Sequence, residues 1–340
     1  MTFKYNNVYI NDVATVTGPY ESKGPLSKYF DKSYDDLYFG TKNWESAEIK
    51  SIEEAVDILL NKVQRTKFDI DVFVSGDLSN QIVATNYAAS SLGIPLIGIY
   101  GACSTSVLGT IIAANLVDAK QVKNAITATS SHNNNAEKQF RYPIEYGGPK
   151  RKTTTFTSTG AACSYISQDK YGIKVESATL GTIVDLGIKD VYHMGAVMAP
   201  AAAKTIYDHL RETKREIGYY DLILTGDLGV YGKDILKDYM LSEYNIELKN
   251  YDDCATMIYD IKNQPVYAGA SGPACAPLVT YGYVFHKMAK KDIRRVLLVA
   301  TGALMNTTMV NYKNTIPAIA HAVSLEVIEW SILIHFFFVE

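Results

Sequence analysis

Short apolar runs alternate along this chain with segments in which apolar residues recur every three or four positions. Residues 5–18 alternate apolar and polar side chains, which predicts one or two strands, and residues 48–63 carry apolar side chains at helical intervals. Further strands are predicted at residues 68–75, 94–100, 125–131, 153–167, 172–180, 220–225, 296–301 and 319–325, and further helices at 107–117, 200–210 and 278–285. Strands that alternate with helices in this way predict an α/β fold with a largely parallel sheet.

Turn-forming and polar residues separate these elements. Thr41 or Ser46 is suited to cap the helix at 48–63, and Pro200 is expected to open a later helix, because proline is favoured at the first helical position. Residues 137–152 form a polar excursion that is longer than a connection needs. Such a segment is either a functional lid or an ordinary surface loop.

The second half of the chain repeats the order of the first. Gly226-Asp-Leu228 repeats Gly76-Asp-Leu78, and Cys275 and Thr301 each lie 172 residues after Cys103 and Thr129. A repeat of this kind predicts two pseudo-symmetric halves, which we place at residues 1–168 and 169–330. An apolar tail, residues 331–340, follows them. It is either a packed end segment, a peripheral membrane contact or a contact for a partner protein.

Composition excludes several classes of protein. The net charge of −3 over 340 residues gives no support to nucleic-acid binding. The four cysteines form no C-x-x-C pair, which argues against a zinc site, and we expect them to be free thiols in a reducing compartment. The first seven residues are polar, unlike a secretory signal peptide, and no apolar run approaches the ~20 residues of a membrane span.

Cys103 falls in a turn between the predicted strand at 94–100 and the predicted helix at 107–117. We expect Gly101 to permit the tight backbone of this turn. The positive end of the helix would lower the pKa of the thiol, which suits a covalent nucleophile. The same geometry suits anion binding by backbone N–H groups, and a third interpretation is that Cys103 is a small buried residue.

A duplicated α/β half with a cysteine at this turn resembles the thiolase and ketoacyl-synthase superfamily. Within it, segments between about residues 8 and 328 resemble the stage V sporulation protein AD family. They are Gly24-Pro-Leu26, Lys42-Asn-Trp-Glu45, Gly76-Asp-Leu-Ser-Asn-Gln81, Gly101-Ala-Cys-Ser-Thr-Ser106, Ser130-Ser-His-Asn133, Glu137-Lys-Gln-Phe-Arg-Tyr-Pro143, Glu145-Tyr-Gly-Gly148, Asp185-Leu-Gly-Ile188, Met198-Ala-Pro-Ala-Ala202, Leu222-Ile-Leu-Thr-Gly-Asp-Leu228 and Ile316-Pro-Ala-Ile-Ala-His321. The tail after Glu329 departs from the short charged end expected of the family.

The resemblance implies a thiolase-like fold, with two pseudo-symmetric α/β halves in α-β-α-β-α layers. It implies a homodimeric, non-catalytic protein that binds dipicolinic acid, as its calcium chelate, for uptake into the forespore and release at germination. The implied location is the cytoplasmic face of the forespore or spore inner membrane, peripheral to it, beside other stage V sporulation membrane subunits. No resident metal or cofactor is implied.

Enzymes of the superfamily draw a base and oxyanion donors from turns of the second half, as histidines or as a histidine and an asparagine. Here those turns read Gly226-Asp227 and Ser271-Gly-Pro-Ala-Cys275, without either residue type. This difference argues against Claisen chemistry, which needs both a base and donors. His132 or His321 could approach Cys103, so an acyl-transferring enzyme that uses Cys103 is the alternative.

Dipicolinate is a flat pyridine with two carboxylates, so its site needs a fork of cationic or N–H donors and a slot for the ring. Arg141 offers such a fork, and Tyr142 or Tyr146 could stack on the ring. Asp77 and Asp227 could hold calcium, hydrogen-bond a protonated ring nitrogen, or only cap the helices that follow them. The candidate ligand-binding residues are Asp77, Gly101, Cys103, Ser104, His132, Arg141, Tyr142, Gly226, Asp227, Gly272 and His321. The run Lys150-Arg-Lys152 is a solvated charge run or a docking patch for anionic lipid.

Overall fold

The computed structural model describes residues 1–140 and 150–328. The strands are β1 Thr2–Lys4, β2 Tyr9–Thr17, β3 Lys32–Ser33, β4 Val72–Gly76, β5 Leu96–Gly98, β6 Asn124–Ser131, β7 Phe156–Thr157, β8 Gly160–Ser167, β9 Ile173–Thr179, β10 Leu222–Thr225, β11 Tyr251–Asp253, β12 Ala270–Ser271, β13 Arg295–Ala303 and β14 Ala318–Val327. The helices are α1 Trp44–Lys62, α2 Val83–Leu92, α3 Thr105–Asp118, α4 Asn133–Phe140, α5 Met194–Thr213, α6 Gly229–Tyr244, α7 Cys254–Met257, α8 Cys275–Pro277, a π-helical stretch Leu278–Val284, α9 Phe285–Ala289 and α10 Thr307–Asn311.

The main sheet has a symmetric strand order. It runs β11-β10-β13-β14-β9 in the second half and continues β2-β8-β6-β4-β5 in the first. In each half, three described strands pair in parallel, and two more are added through successive antiparallel pairings. The two sets meet where β2 pairs with β9, at Tyr9 opposite Lys174 and Ile10 opposite Ile173. The predicted α/β class is therefore confirmed, while the exact boundary between the halves stays a prediction.

Helices cover both faces of the strands and fill the space between the two sets. Helices α1 and α2 pack on the first-half strands, and α5 packs on β13 and β14 of the second half, with α6 against it. Helix α3 contacts β4 and β6 of the first half and also β13 and β14 of the second. Together with the helical segment that begins at Cys275, α3 forms the central layer, most of whose apolar side chains are buried. These layers bring the starts of the two central helices towards each other.

Three local predictions were wrong. Asn43 caps α1, because its side chain accepts the Ser46 N–H, so neither Thr41 nor Ser46 is the cap. Helix α5 begins at Met194 and contains Pro200, since the His193 side chain accepts the Ala196 N–H at its start. The strand at 94–100, an apolar run typical of a buried strand, is the short edge strand β5, which is half-exposed because among the described strands it pairs only with β4.

The polar excursion predicted at 137–152 begins as helix. Helix α4 continues to Phe140, and at its start the Asn134 N–H donates to His132 Nδ1 at 3.2 Å. Lys150 pairs with Glu137 of α4, at 3.1 Å. Residues 141–149, with Arg141, Tyr142 and Tyr146, and residues 329–340, with the apolar tail, lie outside the described residues. No helix in the described ranges is both long and apolar enough to cross a membrane.

Candidate functional site

Cys103 lies in a strained turn just before α3. The strain is at Ala102, which has φ of +49°, a left-handed backbone conformation that non-glycine residues rarely adopt. Gly101 is required for a different reason from the predicted one, because a Cβ there would lie 2.9 Å from the Ser104 hydroxyl oxygen. Strained residues of this kind cluster at ligand sites.

The first amides of α3 are satisfied within the turn. Ser104 donates its N–H to the Gly101 carbonyl at 3.0 Å, and its hydroxyl donates to the same oxygen at 2.7 Å. Thr105 donates its N–H to the Ala102 carbonyl at 3.3 Å. The Ser104 hydroxyl is therefore committed to the turn, and these two amides are not aimed at a ligand.

The surroundings of Cys103 raise the pKa of its thiol well above the ordinary value. Burial is the main cause, and the nearby Asp227 carboxyl is the second. The sequence prediction of a lowered pKa was wrong, because desolvation and a neighbouring carboxyl outweigh the helix end. Cys103 is partly exposed towards a cavity, so a protonated thiol forms part of that cavity's wall.

Asp227 is the side chain that faces this thiol from the second half. Thr301 donates its hydroxyl proton to Asp227 Oδ1 at 2.6 Å. The Cys103 thiol and the Gly272 N–H also interact with the carboxyl. Burial raises the pKa of Asp227 to about 7, and Asp253 nearby adds to the effect. The carboxyl thus occupies the place beside the cysteine where an acyl-transfer enzyme needs a base.

Asp77 and Asp227 are equivalent in sequence but differ in role. Asp77 accepts the N–H groups of Ser79 at 2.7 Å and Thr85 at 2.8 Å, so it caps the turn and the start of α2. In the second half Asp253 performs this task.

Asp253 accepts the N–H of Leu228 at 3.1 Å and the N–H of Gly229 at 3.0 Å. It also accepts the Thr225 hydroxyl at 2.6 Å. Because Asp253 satisfies the turn that opens α6, Asp227 is left to face Cys103.

The two candidate histidines are used elsewhere. His132 Nε2 lies 2.8 Å from the Leu37 carbonyl oxygen, and its ring packs near Trp44. His321 Nδ1 accepts the Gly181 N–H at 3.2 Å. Burial lowers the pKa of both imidazoles to about 4. Neither histidine lines the cavity over Cys103.

The two second-half glycines shape the wall behind Cys103. Gly272 has φ of +99°, and a Cβ there would lie 2.8 Å from the Ser131 hydroxyl oxygen, so only glycine fits. The Gly226 carbonyl accepts the Cys275 thiol at 3.3 Å. Gly272, Asp227 and Cys103 therefore lie together, and Gly226 supports them. The other candidates make hydrogen bonds within their own turns or to neighbouring segments; they are Asp77, Ser104, His132 and His321.

An inner cavity of about 60 Å³ lies over Cys103. Its described wall is mainly apolar, with three hydroxyl residues and one carboxylate beside the Cys103 thiol. The apolar residues are Tyr100, Phe140, Met194, Met198, Met305, Leu78, Ala102, Ala136 and Ala303, the hydroxyl residues are Thr155, Thr157 and Ser271, and the carboxylate is Glu137. The volume holds a few water molecules, so it takes one functional group of a ligand and not a whole one.

An outer cavity of about 660 Å³ adjoins the inner one. Tyr100, Phe140 and Met305 line both, so they form the constriction between the two spaces. Other outer walls are amides and hydroxyls, including those of Asn80, Gln81, Gln139, Asn306, Thr307 and Thr308. The volume is in the range of small-molecule pockets.

The turn at the edge of the outer cavity has a strained backbone and is held by hydrogen bonds. Gln81 and Ile82 have φ of +60° and +48° in succession. Gln139 holds this turn to α4, since its Oε1 accepts the Asn80 N–H at 2.7 Å and its Nε2 donates to the Leu78 carbonyl at 2.9 Å. Sequence reasoning missed Gln139, Met305 and Asp253, because no local pattern marks residues that act across the fold.

The architecture and the cysteine turn define a thiolase-like protein. Solved structures with this fold include an OleA point variant from Xanthomonas campestris, with a TM-score of 0.61 and 11% identity, covering 96% of this chain and 99% of that one. Cerulenin-bound OleA from the same source has a TM-score of 0.60 and 11% identity, covering 96% and 98%. At this identity the likeness shows the fold alone.

The family is more specific. The model of the family "Stage V sporulation protein AD (SpoVAD)" matches residues 1–326. Stage V sporulation protein AD of Bacillus subtilis (strain 168) is 47% identical over 320 residues, which is 94% of each chain. The chain belongs to the stage V sporulation protein AD family, and it is a sporulation protein with a thiolase-like fold.

Proposed function

We propose that this protein is a non-catalytic, thiolase-like receptor that binds dipicolinic acid, as its calcium chelate, for uptake into the forespore and release at germination. The observation that carries the absence of catalysis is the Asp227 carboxyl beside the Cys103 thiol. A nucleophilic cysteine needs a partner that stabilises its thiolate, and a carboxyl does the opposite. His132 and His321 are both bonded elsewhere, so neither of these imidazoles serves Cys103 as a base.

The ligand is proposed to lie across the constriction between the two cavities. One carboxylate of dipicolinate would enter the inner cavity, where the hydroxyls of Thr155, Thr157 and Ser271 are donors of suitable kind. The flat ring would lie between Tyr100 and Phe140, whose aromatic faces suit stacking. The other carboxylate, or the cation that it chelates, would face the amide-lined outer cavity.

Arg141 is proposed as the principal partner of the outer carboxylate, and Tyr142 as a second ring contact. Arg141 follows Phe140 directly, and Phe140 lines both cavities. A guanidinium offers a bidentate fork to a carboxylate. Within the described walls Glu137 is the charged residue, and it is paired with Lys150. The Arg141 guanidinium, or a cation carried by the ligand, would balance the negative charge of the ligand carboxylates.

The proposal also places the protein at the inner membrane of the forespore or spore, as a peripheral homodimer beside other stage V sporulation membrane subunits. The family supports this placement. No described strand pairs with the outer edge of β5 at the end of the sheet, which supports pairing on the cysteine-bearing half, because such an edge offers main-chain groups to a second strand.

Two parallel measurements test the function. In the first, thermal unfolding is followed during titration with dipicolinate, with and without calcium, and with isophthalate as the control that lacks the ring nitrogen. A rise in melting temperature specific to dipicolinate is expected. In the second, the protein is incubated with acyl-coenzyme A donors and Cys103 is examined by mass spectrometry. A thioester on Cys103 would favour the acyl-transfer alternative and contradict the proposal.

A further inference from the structure

Two neighbouring segments expose large apolar side chains, which we call the apolar rim: Ile183, Leu186, Met309 and Tyr312. Their exposed fractions are 59%, 56%, 48% and 73%. The segments are held together, because Val184 and Ala318 exchange two backbone hydrogen bonds of 2.8 Å and Thr315 donates to Asp185 at 2.5 Å. Four such side chains on two bonded segments mark an interaction surface.

The apolar rim borders the mouth of the proposed ligand site. Met305 lines both cavities, and Asn306, Thr307 and Thr308 line the outer one. Met309 follows directly, and Tyr312 comes three residues later. Whatever binds the rim therefore lies beside the opening through which a ligand enters.

The surroundings of the rim are cationic on a protein whose net charge is −3. Lys189 and Lys313 are exposed within the two segments. Arg151 joins them, because it pairs with Asp190 at 3.1 Å and lies over the Tyr192 ring at 5.0 Å, and the exposed Lys152 follows it. Of the two acids in residues 183–192, Asp190 is thus paired, and Asp185 accepts the Gly187 N–H and the Thr315 hydroxyl.

We propose that the apolar rim docks on an anionic lipid bilayer, with the mouth of the ligand cavity beside the membrane. Protruding apolar side chains enter the interface of a bilayer while flanking lysines and arginines meet its anionic headgroups. The lysines and the arginine around the apolar rim match the charge of an anionic headgroup layer, which favours a bilayer as the occupant. This inference rests on the proposed function for its cellular location. It adds to that function the surface through which the protein would contact the membrane and the orientation it would take there.

Co-sedimentation of the full chain with phosphatidylcholine vesicles, with and without one third phosphatidylglycerol, tests the proposal. The parent is expected to bind the anionic vesicles and to bind less at high salt. Leu186→Ser combined with Tyr312→Ser should weaken binding at least about tenfold, since each change removes an apolar side chain. Lys189→Gln combined with Lys313→Gln should weaken binding to anionic vesicles only. Phe68→Ser is the matched control, because Phe68 is 88% exposed and precedes β4, at the opposite end of the strands.

The proposal is overturned if the parent does not bind anionic vesicles or if the Leu186 and Tyr312 variant binds like the parent. It is also overturned if Phe68→Ser loses as much vesicle binding as that variant. Binding by another part of the chain, or a rim that serves a protein partner, would give one of these results. Dipicolinate titration of the same variants separates the two ideas. If neither the parent nor any variant responds to dipicolinate, the proposed function fails, and the result on membrane binding is unaffected.

Discussion

The carboxyl group of Asp227 faces the thiol of Cys103 across the two halves of the molecule, and burial together with this carboxyl raises the pKa of the thiol. The turn that carries Asp227 is satisfied by Asp253, so the carboxyl is directed at the cysteine and not at its own helix. Asp227 and Cys103 together disfavour nucleophilic catalysis at this site, because a thiol held in its protonated form is a poor nucleophile.

Replacing Asp227 should make Cys103 more reactive. Asp227→Asn removes the negative charge that disfavours the thiolate, so the pKa of the Cys103 thiol should fall, although burial still holds it up. Each unit of that fall raises the thiolate fraction about tenfold at pH below the pKa. The rate of Cys103 alkylation by iodoacetamide, followed by peptide mass spectrometry across pH, measures it. Asp252→Asn is the control, and equal rates in parent and Asp227→Asn would refute the pairing.

The contribution of Glu21 to stability should fall as the pH rises from about 5 to 8. Burial raises the pKa of Glu21 from 4.5 to about 7. The folded state therefore binds more protons than the unfolded state between these values, and the linkage relation makes unfolding easier as the pH rises.

Glu21→Gln tests this account of Glu21, because the variant keeps an acceptor for the Thr159 N–H, which lies 2.9 Å from Glu21 Oε1. Free energies of unfolding from urea titrations at several pH values should decline less for the variant, by up to roughly 3 kcal/mol at pH 8. Parallel pH profiles for parent and variant would show that Glu21 does not titrate in this range.

Arg141 should be the cation that holds dipicolinate. Removing one partner of a buried, hydrogen-bonded charge pair costs roughly 2–5 kcal/mol, so Arg141→Ala should weaken binding by some tens to thousands of fold. Arg141→Lys should recover only part, because lysine lacks the planar fork. Calorimetric titration gives the affinities. An Arg141→Ala variant that binds like the parent would place Arg141 outside the site.

The protein should be a dimer in solution. One chain has a mass of 37.6 kDa, so sedimentation at micromolar concentration should give particles of about twice that mass. Tyr87, exposed on α2 beside the free edge strand β5, should contribute, and Tyr87→Ser should shift the equilibrium towards monomer. Leu241→Ser on the second half is the control. Particles of single-chain mass alone would contradict the dimer.

The repeated Gly-Asp-Leu turns predicted two pseudo-symmetric halves, and the candidate site drawn from them included both Cys103 and Asp227. They could not predict that Asp77 caps its helix while Asp227 does not. That difference depends on Asp253, which lies on another strand and is joined to the turn only in the folded chain.

The same limit explains the other errors. The raised pKa of Cys103 depends on burial and on a carboxyl from the second half, and neither can be read from the turn itself. Helix α5 begins at Met194, where His193 supplies the cap, so Pro200 does not mark the start of the helix. The two cavities arise where α4, β5 and the segment after β13 meet, so Phe140 and Met305 became visible only with the fold.

Calorimetric titration of dipicolinate into the parent, Cys103→Ala and Cys103→Trp tests the central claim most directly. The account predicts saturable binding to the parent, retained binding in Cys103→Ala, where the cavity wall persists, and loss of binding in Cys103→Trp, where the indole fills an inner cavity of about 60 Å³. Circular dichroism would first establish that the variants fold. No heat of binding to the parent, or equal affinity in Cys103→Trp, would contradict a dipicolinate site over Cys103.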